Sequence, residues 1–151
     1  MLASVTRLRV GSLLKLPAFL WMTIFTQRQI VRAPGLIGGV LLLDRRRAFW
    51  TLTVWENEKA MRAFRGSGAH ARAMPKLAQW CDEAAYAHWE STGDSIPPWT
   101  EAYERLASEG KLSRVAHPSE DHLARRFPEP RLKPLIGQAL KPVAGRTQPA
   151  A

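Results

Sequence analysis

The chain has 151 residues, of which 46% are hydrophobic and 23% charged, a balance normal for a soluble globular protein and a length that holds one domain plus an appendage. A single cysteine, Cys81, rules out an intrachain disulfide framework and points to a reducing, cytoplasmic compartment. The net charge of +9 sits mostly on residues 1–90, which carry 13 Lys/Arg against six Asp/Glu. Apart from Arg45-Arg46-Arg47, it is scattered and not interleaved with exposed aromatics, so no nucleic-acid partner is expected; solvated charge comes first, with attraction to anionic membranes or ligands behind it.

Val5 to Leu14 alternates. Leu8, Val10 and Leu14 fall on one face and Arg7 and Arg9 on the other, as in a strand with one buried face. Pro17 opens a helix at a favoured first-turn position, and apolar residues recur at helical spacing from Ala18 to Arg32 (Trp21, Ile24, Phe25 and Ile30, with Met22 alongside). The apolar run Leu13 to Phe25 contains Lys15 and Pro17 and is far shorter than the ~20 residues of a membrane span, and no cleavage site follows it. Pro34-Gly35 ends the helix.

Leu36 to Leu43 reads as a buried strand with a bulge or close backbone approach at Gly38-Gly39. Asp44 to Arg47 is a turn, and Ala48 to Trp55 returns as a hairpin. Asn57 caps a second helix with Glu58 in its first turn and Met61 and Phe64 facing inward; Gly66-Ser67-Gly68 interrupts it. Ser67 is placed to cap a second helical piece, Ala69 to Trp80, in which Pro75 implies a kink. Asp82-Glu83 look like end caps leading to a fourth strand, Ala84 to Trp89.

Eight of the 11 prolines lie beyond Ile96, which argues against a second packed domain there. Pro97-Pro98-Trp99 opens a helix that runs to Glu109 and stops at Gly110; Leu112 to Val115 is extended; Ser119 caps a short helix, Glu120 to Arg126. The organisation expected is a domain over residues 1–90, a helical C-terminal extension over 91–127 and an extended or disordered tail over 128–151.

The order β-α-β-β-α-β predicts an α+β, ferredoxin-like fold: a four-stranded antiparallel sheet with both helices on one face. Thr51, Thr53, Arg7 and Arg9 suggest that the other face is not a dry core. Trp50 and Trp55 differ by five positions and point to opposite faces, so one of them needs a cover, and two-fold pairing of two sheets into a barrel would supply it. A homodimer is expected on this ground.

The pattern Trp55-Glu56-x-Glu58-x-Ala60-x-x-x-Phe64-x-x-Ser67-x-x-His70 resembles the strand-to-helix signature of the dimeric α+β-barrel superfamily, which includes antibiotic-biosynthesis-type monooxygenases, spheroidene-monooxygenase-like proteins and haem-degrading or haem-binding relatives. The segment Gly66 to His70, with Trp80 to Ala84, is similar to an uncharacterised bacterial group within it. The resemblance covers roughly residues 5–90. It implies a ligand pocket between helices and sheet and, where relatives bind haem, a helix-two histidine as iron ligand; His70 stands at the comparable place. The Asn-Trp-Arg set of cofactor-independent monooxygenases has no residue-by-residue match here.

His70, in the first turn of a helix, is held neutral by the positive dipole end, which suits a metal ligand or general base. Trp21, Met22, Phe25, Trp55, Phe64 and Trp80 are candidates to line an apolar cleft, and Arg28 and Arg32, one turn apart, to hold a carboxylate or haem propionate. His88 reads as structural, and His117 and His122 fit no zinc spacing. Three functions follow as expectations. The first is a monooxygenase-like enzyme acting on an apolar small molecule, with His70 as base or haem ligand. The others are a non-catalytic binder of a hydrophobic ligand or haem, and a dimeric scaffold.

Overall fold

The computed structural model describes residues 1–93, 95–130 and 136–143. The elements follow in chain order: β1 (Leu2–Val10), a 3-10 turn (Leu13–Lys15), α1 (Leu16–Ile30), β2 (Leu36–Leu43), β3 (Ala48–Trp55), α2 (Glu58–Arg65), α3 (Gly68–Trp80), β4 (Cys81–Glu90), α4 (Trp99–Glu109), β5 (Lys111–Leu112), α5 (Glu120–Leu123) and β6 (Ile136–Leu140). The sheet is antiparallel throughout, in the order β5-β4-β1-β3-β2-β6. Its inner four strands have the ferredoxin-like arrangement expected. Among the described residues it has six strands rather than four, because residues 111–112 pair with β4 and residues 136–140 with β2. Residues 131–135 and 144–151 of the expected tail lie outside the described residues.

Local signals account for most boundaries. The Asn57 side chain accepts a hydrogen bond from the Ala60 amide at 2.9 Å and starts α2. The β2–β3 register shifts between Leu36 and Gly38, the bulge expected at the glycines. Asp44 organises the hairpin turn: its Oδ1 accepts from the Arg46 and Ala48 amides and its Oδ2 from the Trp50 indole. Other signals misled. Ser67 does not cap α3 with its side chain; its hydroxyl donates back to the Ala63 carbonyl at 2.8 Å, and the turn is carried by Gly68 at φ +57°. α3 runs through Pro75, which sits on its exposed side. Leu14 lies past the end of β1, in the 3-10 turn, and is exposed.

The assignment of faces is the main correction. Register places Ala3, Val5 and Arg7 of β1 with Trp50, Leu52 and Val54 of β3 and with Ala85 and Ala87 of β4 on one face. That face is dry. Ala102 and Leu106 of α4 pack onto it, Trp99 meets Trp50 edge-on at 6.4 Å, and Phe127 joins the same cluster. Trp50 and Trp55 are 0% and 1% exposed, so neither needs a second subunit to cover it. The alanines of β1 and β4 leave the room into which α4 settles. The uncovered face that motivated two-fold pairing of sheets is therefore filled by this chain's own α4.

Arg7, expected on a solvated face, is 2% exposed and ion-paired with equally buried Glu83. Arg9 reaches both oxygens of Asp82, at 2.9 and 2.7 Å, and Glu83 Oε1 at 3.0 Å. The Ser119 hydroxyl donates to the same Glu83 oxygen at 2.9 Å. Asp82 and Glu83 are thus not caps but the acidic half of a network that ties β1, β4 and α5 together. α5 itself, expected to reach Arg126, ends at Leu123.

Candidate functional site

The other face of the sheet looks toward α1, α2 and α3, and its middle is polar. Two rows cross it. Tyr86, Thr6, Thr51 and Leu41 stand side by side in one; His88, Ser4, Thr53 and Gly39 in the next. Thr6, Thr51, Tyr86 and His88 are only half-buried. β1 has a hydrogen-bonded neighbour on each side, so Thr6 at its centre reaches solvent only through a gap in the helix layer. Thr51 and Thr53, read from the sequence as sharing a face with Arg7 and Arg9, are on this opposite face.

α1 roofs the gap in an unusual way. It packs mainly against α3 rather than on the strands. Phe19 anchors one end against Phe49 at 4.6 Å, and Ile30 anchors the other in the cluster of Trp55, Met61 and Phe64. Between these anchors the inward positions, one helical turn apart, are Thr23 and Thr26. Their hydroxyls bond the carbonyls of Phe19 and Met22 in their own helix, at 2.9 and 3.1 Å. A polar strip on α1 therefore stands over a polar floor, and the space between them, with an apolar cluster at either end, is the candidate chamber.

His70 stands at the α2–α3 turn beside this chamber. Its ring lies 4.8 Å from Phe64, which in turn stacks on Trp55 at 5.3 Å. Nδ1 is 3.2 Å from the Arg65 carbonyl, an oxygen that only accepts, so in the neutral ring Nδ1 carries the proton and Nε2 keeps its lone pair. Burial pushes the His70 pKa below its ordinary value; the charge of Arg65 acts in the same direction, and the bond to the Arg65 carbonyl opposes them. Burial, then the charge of Arg65, likewise lowers His88. Arg65 lies over the Tyr86 ring at 5.6 Å, and Tyr86 neighbours His88 at 5.1 Å. Where β5 ends, the edge of β4 is left unpaired and a depression of about 250 Å3 opens, lined by Tyr86, Ala87, His88, Glu109 and Lys111.

Gln29 of α1 was not legible as a site residue. Its side-chain amide donates to the carbonyls of Phe64 and Ser67 at 3.2 and 2.9 Å, and its oxygen accepts from the His70 amide at 2.9 Å. It clamps the turn that carries His70. Gly68 is required there twice over: for its positive φ, and because a Cβ would fall 2.8 Å from the Gln29 amide carbon. No spacing rule links residues 29 and 70, so only the packing of α1 on α3 exposes this role. Cys81 is excluded as a nucleophile, since burial pushes its thiol up to about 12.

The structure brings together only part of the expected pocket. Trp55, Phe64 and His70 form one group. Trp80 belongs to a separate cluster with Val10, Phe19 and Cys81 at the other end of the sheet. Trp21 and Phe25 lie on the outer side of α1, 63% and 38% exposed, in edge contact with each other at 5.2 Å. Arg28 is exposed over the Phe25 ring, and Arg32 donates to the Arg28 carbonyl. A haem would need two flat apolar walls with cations at its rim. His70 alone meets that need, having a free Nε2 and a bonded Nδ1. The indoles meant to sandwich the porphyrin are dispersed, and Arg28 and Arg32 point away from the chamber. These residues do not fit a haem. Among the described residues, no three His, Cys, Asp or Glu side chains converge as a metal site would require.

The fold is that of a ferredoxin-like α+β protein, and solved structures of antibiotic biosynthesis monooxygenases share it. A putative antibiotic biosynthesis monooxygenase from Nitrosomonas europaea superposes with a TM-score of 0.53 at 18% identity, covering 62% of this chain and 100% of that one. Another antibiotic biosynthesis monooxygenase gives 0.55 at 11% identity, over 62% and 100%. SnoaB, a cofactor-independent oxygenase from Streptomyces nogalater, gives 0.52 at 17%, over 64% and 97%. At these identities the likeness is one of fold. The chain belongs to the family described as "Domain of unknown function (DUF3291)", whose model matches residues 15–114. No curated protein sequence matches it.

Proposed function

We propose that this protein is a monooxygenase-like enzyme that binds a small molecule in the chamber between α1 and the sheet. The observation that carries the reading is the half-exposed polar floor of Thr6 and Thr51 on the interior strands β1 and β3, continued by Tyr86 and His88 toward the edge of β4, beneath a helix whose inward middle is threonine. A side built only for packing would be apolar there. The chamber has apolar ends, Phe19–Phe49 and Trp55–Phe64, and a hydroxyl- and imidazole-lined middle. It suits a flat apolar ring system bearing a hydroxyl group. The imidazoles of His70 and His88, kept neutral by burial, are the candidate bases. An aryl hydroxyl that gives up its proton becomes electron-rich and open to oxidation by dioxygen. SnoaB, which shares the fold, is a cofactor-independent oxygenase, which supports oxygen chemistry as the kind of reaction.

Oxygen uptake with hydroxylated naphthalenes and anthracenes tests the reading. Wild type consumes oxygen, and His70→Ala or His88→Ala slows uptake by about 10²-fold or more with the circular dichroism spectrum unchanged. Binding of these compounds without uptake would reduce the protein to a ligand-binding module. Neither binding nor uptake across the series would end the proposal.

A further inference from the structure

Between its buried ends, Phe19 and Ile30, α1 is polar inside and apolar outside, the reverse of a helix that covers a core. Its outer side, with the 3-10 turn before it, exposes Leu13, Leu14, Leu20, Trp21, Ile24 and Phe25; Leu14 is 92% and Trp21 63% exposed. Large apolar residues scattered singly on a surface need no explanation, but four on one helix face, with two more in the turn before it, form a patch that does. Met74 and Pro75 are exposed on α3, against which α1 packs.

The charges carried by α1, α3 and the residues flanking α1 are of one sign. The first acidic residue of the chain is Asp44, and α3 has none, so neither helix carries a carboxylate. Arg28 lies on α1, Arg72 and Lys76 on α3, and Lys15 and Arg32 just before and just after α1, and among the described residues none of them is ion-paired. Lys15 donates to the Gln79 carbonyl and Arg32 to that of Arg28, which spends no positive charge.

We infer that this face docks on an anionic phospholipid bilayer, with the Leu13–Phe25 side chains entering the headgroup boundary and the five cations meeting lipid phosphates. The pattern is that of an interfacial helix: Trp, Phe and Leu on one side, Lys and Arg flanking, and α1 is too short to span. Trp21 suits such a boundary, having an apolar body and one N–H for the wet side. A second copy of the chain is the weaker occupant, since two-fold pairing through the patch would set five cations against five. The net charge of +9 favours approach to an acidic surface by the whole molecule. The inference stands apart from the catalytic reading and does not need it.

Co-sedimentation of the full chain with vesicles tests it, using phosphatidylcholine alone and phosphatidylcholine with about 30% phosphatidylglycerol, in buffer of about 0.1 M salt. The expected result is at least about tenfold stronger binding to the anionic vesicles, weakened by high salt, and a loss of about tenfold or more in Trp21→Glu/Phe25→Glu. Both positions are solvent-exposed, so the substitutions leave the core alone. Quenching of wild-type tryptophan emission by brominated anionic lipid, diminished in Trp21→Phe, reads insertion without a disruptive substitution. No binding to anionic vesicles, or equal binding to neutral ones, overturns the inference. So does a dimer in light scattering that Trp21→Glu/Phe25→Glu dissociates, since the patch would then belong to a second copy.

Discussion

Replacing Glu83 with alanine leaves one charge buried without its partner and takes an acceptor from the Ser119 hydroxyl and an ion pair from Arg9 as well. Glu83 and Arg7 are each 2% exposed and pair across the β1–β4 seam. Without the carboxylate, the Arg7 guanidinium remains packed against Trp50 at 5.6 Å with no counter-ion, and its Nε already lacks a partner. Arg9 keeps both oxygens of Asp82, so the uncompensated charge is Arg7's alone. Breaking a buried pair from one side costs about 3–5 kcal/mol. That is about a fifth or more of the roughly 5–15 kcal/mol by which domains are stable. With a urea slope of about 2 kcal/mol per M, the unfolding midpoint falls by about 2 M. Arg7→Met/Glu83→Leu removes both charges together and stays within about 1 kcal/mol of wild type. Urea unfolding followed by tryptophan emission measures both variants. A Glu83→Ala midpoint within about 0.5 M of wild type would refute the reasoning, as would a double variant no better than the single one.

Asp44→Ala strips the hairpin turn of two amide acceptors and leaves the buried Trp50 indole N–H unpaired; thermal melts should show a loss of about 3 kcal/mol, and Asp44→Asn a smaller one. Gly39→Ala would put a Cβ 2.7 Å from the Leu52 carbonyl and 2.9 Å from Thr53 Cγ2, so β2 must shift; a loss of about 1–3 kcal/mol is expected, and an unchanged melting temperature would contradict the packing of β2 on β3. His70, His88 and His122 all have pKa values lowered first by burial. Below their ordinary value of about 6.5 the unfolded chain binds more protons than the folded one, so stability is level above neutrality and falls as pH drops through that value. Melting temperatures read from pH 8 down to pH 5.5 check the sign; an increase on acidification would contradict it.

The strands, the β2 bulge, the Asp44 turn and the Asn57 cap were legible because each rests on local chemistry: period-two alternation, paired glycines, an acceptor side chain where amides need one. Direction was not legible. Helical spacing marks Trp21, Ile24 and Phe25 as one stripe of α1, but it does not say whether that stripe faces the sheet or solvent. The polar rows of β1, β3 and β4 decide it, because Thr23 and Thr26 can face hydroxyls and a wet gap where large apolar residues would bury them. Arg7 and Arg9 looked solvated because their partners, Asp82 and Glu83, come more than 70 residues later and meet them only through β1–β4 pairing. α4 looked like an appendage; its Ala102 and Leu106 signal burial only once the alanines of β1 and β4 are known to leave room. Of the expected site, the group of Trp55, Phe64 and His70 came from one local motif and is assembled as a unit, whereas Gln29, which holds it, depends on a contact between distant helices.

The chamber itself is tested most directly by filling it. Thr6→Leu and Thr51→Leu add apolar bulk to the middle of the floor, where both side chains are half-buried and hence have room. Titration calorimetry with a hydroxylated naphthalene should give binding to wild type and a loss of about tenfold or more, roughly 1.4 kcal/mol, in the double variant, with its melting temperature maintained. Equal affinity in the two proteins would place the ligand elsewhere and contradict the account.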